Sequence, residues 1–463
     1  MDAQRPSTSG AFNGLPIEIN REIVSYLDTD KEIADFRLVC KGTNDAVDGD
    51  FLSFWRFKFR QFFALKAGTK NRVLKQQYQR RKKYMRLGAG INWYHGWSKP
   101  ETRVLQVLAE IINESFQGGH EHDDYGRPRC LNQDQLLQFI QNSKNFLAVK
   151  RPRAPKAHGK NECINPALAA VQIMCAHFLF ENLNMKHNIY CFEVSQKAVY
   201  QTPAKAPMFV GLNKVEVNME LVLHGLNFFR NHMVGTDMGM HHMMRYMHPT
   251  QKPSPWQTPL SEGCSPLTKH WKGTYAFLDH ADLRKVRAVD EDDDDLEVFI
   301  DGNVDIDGKI QLECGEPGAF PWSQLFEKHL KSSPPPAQAP RTRAQGRSLI
   351  PNDEKPTAIQ FRGEGDDAED HFYATGWLTS LPPQPAGLDI PGWQRITFMK
   401  SFDTDEVEAI TDNLWAYEGV VLPGGRIIIG RWWLDYSGPF IFWAVEPELG
   451  FEGNITETST SIL

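Results

Sequence analysis

The sequence predicts an α+β protein, with a three-helix block at the N-terminus, a helical middle region and a C-terminal antiparallel β-barrel or sandwich. Three observations carry this. Near the N-terminus, Ile19, Ile23 and Leu27 recur at helical spacing. From about residue 265 short β-rich runs separated by turn residues replace that period. The length of 463 residues exceeds what one core usually supports, so two or three domains are expected.

The elements follow in chain order. Residues 1–12 read as a tail without fixed structure, and a helical block is expected over 13–50. Pro16 suits the first helical position, where its missing N–H would be unpaired anyway. Thr29 and Glu32 have capping-box spacing, which starts a second helix near Asp30 and carries Ile33, Phe36 and Leu38 toward the core. Residues 51–264 read as mainly helical. Phe51, Trp55, Phe59, Phe62 and Phe63 follow helical spacing, although Trp55, Phe57 and Phe59 also alternate as a strand would; Val104, Leu108, Ile111 and Ile112 mark an amphipathic helix, and Asn165-Pro166 opens another.

The β domain is expected over 265–450. Its runs are Leu296 to Ile300, Lys309 to Cys314, Ala358 to Arg362, Phe372 to Leu378, Arg395 to Lys400, Leu414 to Leu422, Arg426 to Leu434 and Pro439 to Val445. Pro423-Gly424-Gly425 is a hairpin turn between two of the strongest. Eight or more short strands without intervening helices argue for a barrel or sandwich. The Pro-rich, basic stretch 332–352 buries little and reads as an insertion, and 451–463 as a second tail.

Composition narrows the function. A net charge of −7 gives no global attraction to nucleic acid or to anionic membranes. The seven Cys are scattered and never form a CxxC pair, which fits reduced thiols in a cytoplasmic or nuclear protein and implies neither a disulfide framework nor a zinc site. The first ten residues lack the layout of a signal peptide. No GxSxG, HExxH, Walker or Rossmann pattern appears, so no catalytic residue, cofactor or metal ligand is assigned.

The string LPIEINREIVSYLDTDKEIADFRLVCK, Leu15 to Lys41, resembles the F-box family. The pattern is Leu15-Pro16, Glu18, apolar residues at 19, 23 and 27, Asp28, Ile33 and Arg37-Leu38-Val39-Cys40-Lys41; Thr43 stands where an aromatic often follows. The resemblance implies a three-helix module that binds the Skp adaptor, and through it a cullin, by Leu15, Pro16, Ile19, Ile23, Leu27, Leu38 and Val39. A block of about forty residues has little interior of its own, which leaves apolar positions for a partner. The strings WKGTYAFL, LWAYEGVVLPGGRIIIGRWW and SGPFIFWAVE resemble the substrate-side domain of fungal F-box proteins, with a weaker similarity to animal F-box-only proteins with a closed β-barrel. That implies a non-catalytic ubiquitin-ligase adaptor whose β domain binds an unknown target protein. Trp271, Trp415, Trp432 and Trp433 are its candidate contacts, although such residues equally suit barrel packing. The alternative is a barrel that binds a small apolar ligand.

Other constellations have plainer readings. In Arg431-Trp432-Trp433 strand alternation sends the two rings to opposite faces. Asn303 to Gly308 imitates the start of a calcium loop, but Cys314 stands where the bidentate acid belongs, so a hairpin turn is expected. Asp290 to Asp295 reads as a solvated acidic loop that attracts basic segments. The Met/His-rich stretch His232 to His248 has copper-ligand chemistry but also suits helix packing. Lys70 to Arg86 holds eight Lys/Arg and no acid, either a phosphate-binding face or an exposed helix face, and Lys150 to Arg153 is a candidate nuclear-import cluster.

Overall fold

The computed structural model describes residues 9–27, 29–148, 164–181, 189–235, 239–288, 297–302, 308–322, 326, 357–366, 370–384, 388–402, 414–434 and 437–447. By compactness the chain divides into one unit of Met1–Val171 with Gln257–Pro259, and a second of Gln172–Trp256 with Leu260–Leu463.

The first unit begins with α1 (Ser9–Asn13), α2 (Ile17–Ser25), α3 (Asp30–Arg37) and α4 (Lys41–Asp48). The expected tail is therefore shorter than 1–12, because Phe12 packs edge-on against Phe36 and its carbonyl accepts a hydrogen bond from Asn20. The Thr29–Glu32 capping box forms and starts α3. Ile33 and Phe36 are buried as expected, but Leu38 is 83% exposed: the helix ends at Arg37, which turns Leu38 away from the core. Thr43, at the position where an aromatic was missed, is buried and bonds the amide and carbonyl of Cys40, closing the start of α4.

Next come α5 (Ser53–Phe62), α6 (Asn71–Gly90), α7 (Lys99–Asn113), the hairpin β1 (Glu121–His122) and β2 (Pro128–Arg129), and α8 (Leu131–Asn142). Trp55, Phe59 and Phe63 enter the core, whereas Phe51 is 92% exposed on a turn where Asp50, Phe51 and Leu52 all take positive φ. Ser53 and Asn71 hydrogen-bond that turn, and Arg21 pairs with Asp50, offsetting the left-handed backbone. Helix α9 (Pro166–Glu181) starts at the expected Asn165-Pro166, and its central residues are buried all round.

The second unit holds α10 (Phe192–Tyr200), β3 (Phe209–Val210), β4 (Glu216–Val217), α11 (Met219–Val234) and α12 (Gly239–Tyr246) beside the barrel. The barrel strands are β5 (His270–Tyr275), β6 (Gly308–Gly315), β7 (Ala358–Asp366), β8 (His371–Ser380), β9 (Gln394–Ser401), β10 (Trp415–Val421), β11 (Ile427–Trp433) and β12 (Ser437–Ala444), with α13 (His280–Ala288) between β5 and β6. Each strand runs antiparallel to the next, and β12 returns to β5 with Phe440 opposite Tyr275, so the sheet closes. Closure leaves no free ladder edge within the sheet.

Three expectations are corrected here. His270–Tyr275 is a strand that the periodicity did not mark; α13 interrupts the strand series; and 297–300 forms no strand, although Gly302 bridges Phe277. The Pro423-Gly424-Gly425 turn forms, with φ of +90° and +67° at the two glycines. Residues 1–8, 150–153, 290–295, 303–307, 332–352 and 451–463, on which six sequence expectations fall in whole or in part, lie outside the described residues.

Rings fill the barrel. Phe398 and Tyr417 stack at 4.4 Å, and Gly376 makes room for Phe398: a Cβ there would lie 2.4 Å from the Phe398 Cβ. Outside, Gly225 brings α11 close to β11, where a Cβ would lie 2.7 Å from Ile429 Cδ1.

Candidate interaction surfaces

On the N-terminal three-helix block the inward residues are Asn20, Val24, Ile33, Phe36, Ala46 and Val47. What remains outside is apolar. Leu15 is 38% exposed, Ile19 46% and Val39 41%; Pro16 and Leu38 are exposed as well. Ile23 and Leu27 are half-buried, so they divide between the interior and the surface. The sequence-predicted residues are thus mostly on the outside of the block, where a partner can reach them.

The block is fastened to the following helices by Asp48. Its carboxylate accepts from Lys75 at 2.7 Å and from Trp55 Nε1 at 2.8 Å, and it also pairs with Arg37. Burial alone would raise this carboxyl. The Lys75 and Trp55 hydrogen bonds, with the charges of Lys75 and Arg37, outweigh it and hold the group below the usual carboxylate range. Lys75 belongs to the basic stretch on α6, and that stretch is largely engaged within the unit. Arg80 bonds both oxygens of Glu110, Arg81 is buried between the Phe59 and Phe63 rings and Glu114, and the Lys82 ammonium lies 3.5 Å from the Phe62 centroid.

The four candidate tryptophans separate by face. Trp271 and Trp432 are buried in the barrel interior, and the half-buried Trp415 packs onto the same core. Trp433 points outward against Met399, Leu414 and Ala416. The expected alternation of Trp432 and Trp433 is realised, and three of the four rings serve as filling. Lys400 also points inward, with its ammonium 4.4 Å from the Phe372 centroid, 4.6 Å from Phe402 and 5.2 Å from Trp415. A pocket of about 120 Å³ lies outside this core, lined by Glu262, Leu381, Pro382, Asp389, Ile390 and Trp393.

Sequence reasoning missed a buried polar network between α10 and α11. Asp301 accepts from Tyr200 Oη at 2.6 Å, from Gln196 Nε2 at 2.8 Å and from His232 Nε2 at 3.1 Å. Burial and then the Asp301 charge push the Tyr200 hydroxyl well above its usual pKa. Nearby, Ser195 Oγ lies 3.3 Å from His224 Nδ1 and accepts from Asn227 at 2.8 Å, all of them buried. Within the Met/His-rich stretch, Met240 and Met244 are core residues and His241 contacts the Met233 carbonyl at 3.1 Å. Among the described residues no group of three or more His, Cys, Asp or Glu is placed to hold a metal ion, and no helix is long and apolar enough to cross a membrane.

The fold and these surfaces define a helical array followed by a closed, ring-filled, up-and-down barrel. In comparison with known proteins, no family model, no curated protein and no solved structure matches the chain.

Proposed function

We propose that the chain is the substrate-recognition subunit of a Skp–cullin–F-box ubiquitin ligase. Its N-terminal block docks on the Skp adaptor, and the β domain binds the target protein. One observation carries the reading: Leu15, Pro16, Ile19, Leu38 and Val39 remain exposed on the very segment whose sequence resembles the F-box. An apolar face of this kind on a small helical block supports helix-in-groove docking. Burying these side chains would contribute roughly 1.5–3 kcal/mol for each large one fully covered, before the costs of association.

Such an adaptor needs no nucleophile. It raises the effective concentration of a target lysine near the charged conjugating enzyme. The ring-filled barrel interior speaks against the small-ligand alternative, since Trp271, Tyr417, Trp432 and Phe440 occupy the space that a ligand would need. The test is co-purification with the Skp adaptor. Leu15→Ala with Pro16→Ala should abolish capture while the circular dichroism of the β domain is retained; undiminished capture refutes the interface.

A further inference from the structure

Residues 51–100 contain 13 Lys and Arg and no Asp or Glu, although the chain as a whole is acidic. Much of this charge is spent within the first unit. On α6, Lys75, Arg80 and Arg81 pair with Asp48, Glu110 and Glu114, and Lys82 sits on the Phe62 ring. Three cations of that helix are left over. Arg72, Lys83 and Arg86 are exposed and form no ion pair among the described residues.

These three lie on one stripe. Arg72, Gln76, Gln79, Lys83 and Arg86 follow steps of four, three, four and three residues, which keeps them on one side of the helix. All five are exposed, while Leu74, Tyr78 and Met85 bury the opposite side. At 1.5 Å per residue the stripe is about 21 Å long. Each of its side chains can donate hydrogen bonds and none carries a negative charge. The two acids of α7 do not offset it. Glu110 holds Arg80, and the buried Glu101 accepts from the amides of Tyr94 at 2.7 Å and Ser98 at 3.1 Å.

The stripe leads to a loop that presents flat rings. Helix α6 stops at Gly90, and residues 91–98 follow. The buried Trp93 anchors them, donating from Nε1 to the Gly88 carbonyl at 2.9 Å. Asn145 clamps the main chain of Trp93, accepting from its amide at 2.8 Å and donating to its carbonyl at 2.9 Å. Tyr94 and Trp97 stay outside on this held loop, 53% and 58% exposed.

Cations alone suit any acidic partner, and the rings decide between the candidates. An acidic polypeptide would pair with the Arg and Lys side chains and has no need of the two rings. A single-stranded nucleic acid uses both, phosphates on the cations and bases stacked on the aromatic faces. In a duplex the base faces are already covered by one another. We propose that this face of the first unit binds single-stranded nucleic acid, with α6 following the phosphates and Tyr94 and Trp97 taking bases. The site shares no residue with the docking face of Leu15, Pro16, Ile19, Leu38 and Val39, so it stands independently of the receptor reading.

The test follows the fluorescence anisotropy of labelled twelve-nucleotide oligo(U) and oligo(dT) with the full chain, between about 0.05 and about 0.3 M salt. At least one strand should bind, with log affinity falling linearly against log salt, and the tighter strand assigns RNA or DNA. Arg72→Ala combined with Lys83→Ala and Arg86→Ala removes three phosphate partners and should flatten the salt slope by about 2. Tyr94→Ala combined with Trp97→Ala should weaken binding about tenfold or more and leave the slope unchanged. An abasic strand with the backbone of the tighter oligonucleotide keeps the phosphates and lacks the bases. It should bind the unaltered chain about tenfold more weakly, and this comparison decides if the ring variant lowers the Tm. The proposal is overturned if neither strand binds, if the cation variant keeps its slope, or if the abasic strand binds as well as its parent. It is also overturned if a matching duplex or a twelve-residue polyglutamate binds as tightly as the single strand, the latter outcome assigning the face to an acidic protein.

Discussion

Trp415 and Trp432 stack inside the barrel with ring centroids 4.8 Å apart and planes 26° from parallel. Tyr275 closes edge-on against both, at 5.7 and 5.5 Å. Rings on three strands thus pack into one another near the barrel end that Lys400 also approaches. This arrangement makes the tryptophans part of the fold's stability before they are part of any recognition.

Trp432→Ala is therefore expected to destabilise the second unit by about 3–5 kcal/mol, the cost of a large aromatic removed from a packed core. Trp415→Ala should cost less, because that ring is only half-buried. Since the two are in contact, the double variant should differ from the sum of the singles by about 0.5 kcal/mol or more. Urea unfolding followed by near-ultraviolet circular dichroism measures all three, and strictly additive costs would show that the stack contributes nothing of its own.

The capping box gives a smaller and cleaner effect. Thr29 accepts from the Glu32 amide at 3.2 Å and Glu32 accepts from the Thr29 amide at 2.9 Å, both at exposed positions. Thr29→Ala should lower the stability of the N-terminal block by about 1 kcal/mol. Thr29→Ser should retain most of it, which thermal unfolding of the two variants would compare.

Much of this was legible because the signals are local. Thr29 and Glu32 lie within one helical turn of each other, and the Trp432–Trp433 alternation needs only strand geometry. The strand His270–Tyr275 was not marked because its six residues include Gly273 and Lys272, so that no run of β-formers stands out. Its pairing with β6 and β12 is what makes it a strand, and the β12 partner lies some 170 residues away. Asp301 escaped for the same reason. Its partners Gln196, Tyr200 and His232 are 105, 101 and 69 residues distant, and an Asp amid an acidic stretch reads as solvated until the helices that bury it are in place.

The exposed face of the N-terminal block separates stability from partner binding. Ile19 is 46% exposed, so Ile19→Asp should change folding stability by no more than about 0.5 kcal/mol, the usual range for a surface position. The same substitution puts a charge in the middle of the proposed docking face and should abolish capture of the Skp adaptor. Calorimetry and pull-down on one preparation distinguish the outcomes; a variant that unfolds would show that Ile19 belongs to the core.

A pH dependence follows from His177 on α9. The side chain is fully buried, neither ring nitrogen has a hydrogen-bond partner among the described residues, and the ring meets the edge of Trp256 at 5.9 Å. Burial pushes its pKa down to about 3, so the imidazole is neutral in the fold throughout the physiological range. The unfolded chain takes up a proton near pH 6.5, whereas the folded chain does not. Stability from this site is thus complete above pH 6.5 and declines as pH falls toward 3, by roughly 2 kcal/mol at pH 5. Carboxylates also begin to titrate near there, so the informative quantity is the difference between the wild-type protein and His177→Met, which preserves bulk without a titrating group. That difference should shift by roughly 2 kcal/mol in favour of the variant between pH 7 and pH 5 in urea melts. Parallel curves for the two proteins would mean that the folded chain protonates His177 as readily as the unfolded one, and that the ring is reached by water.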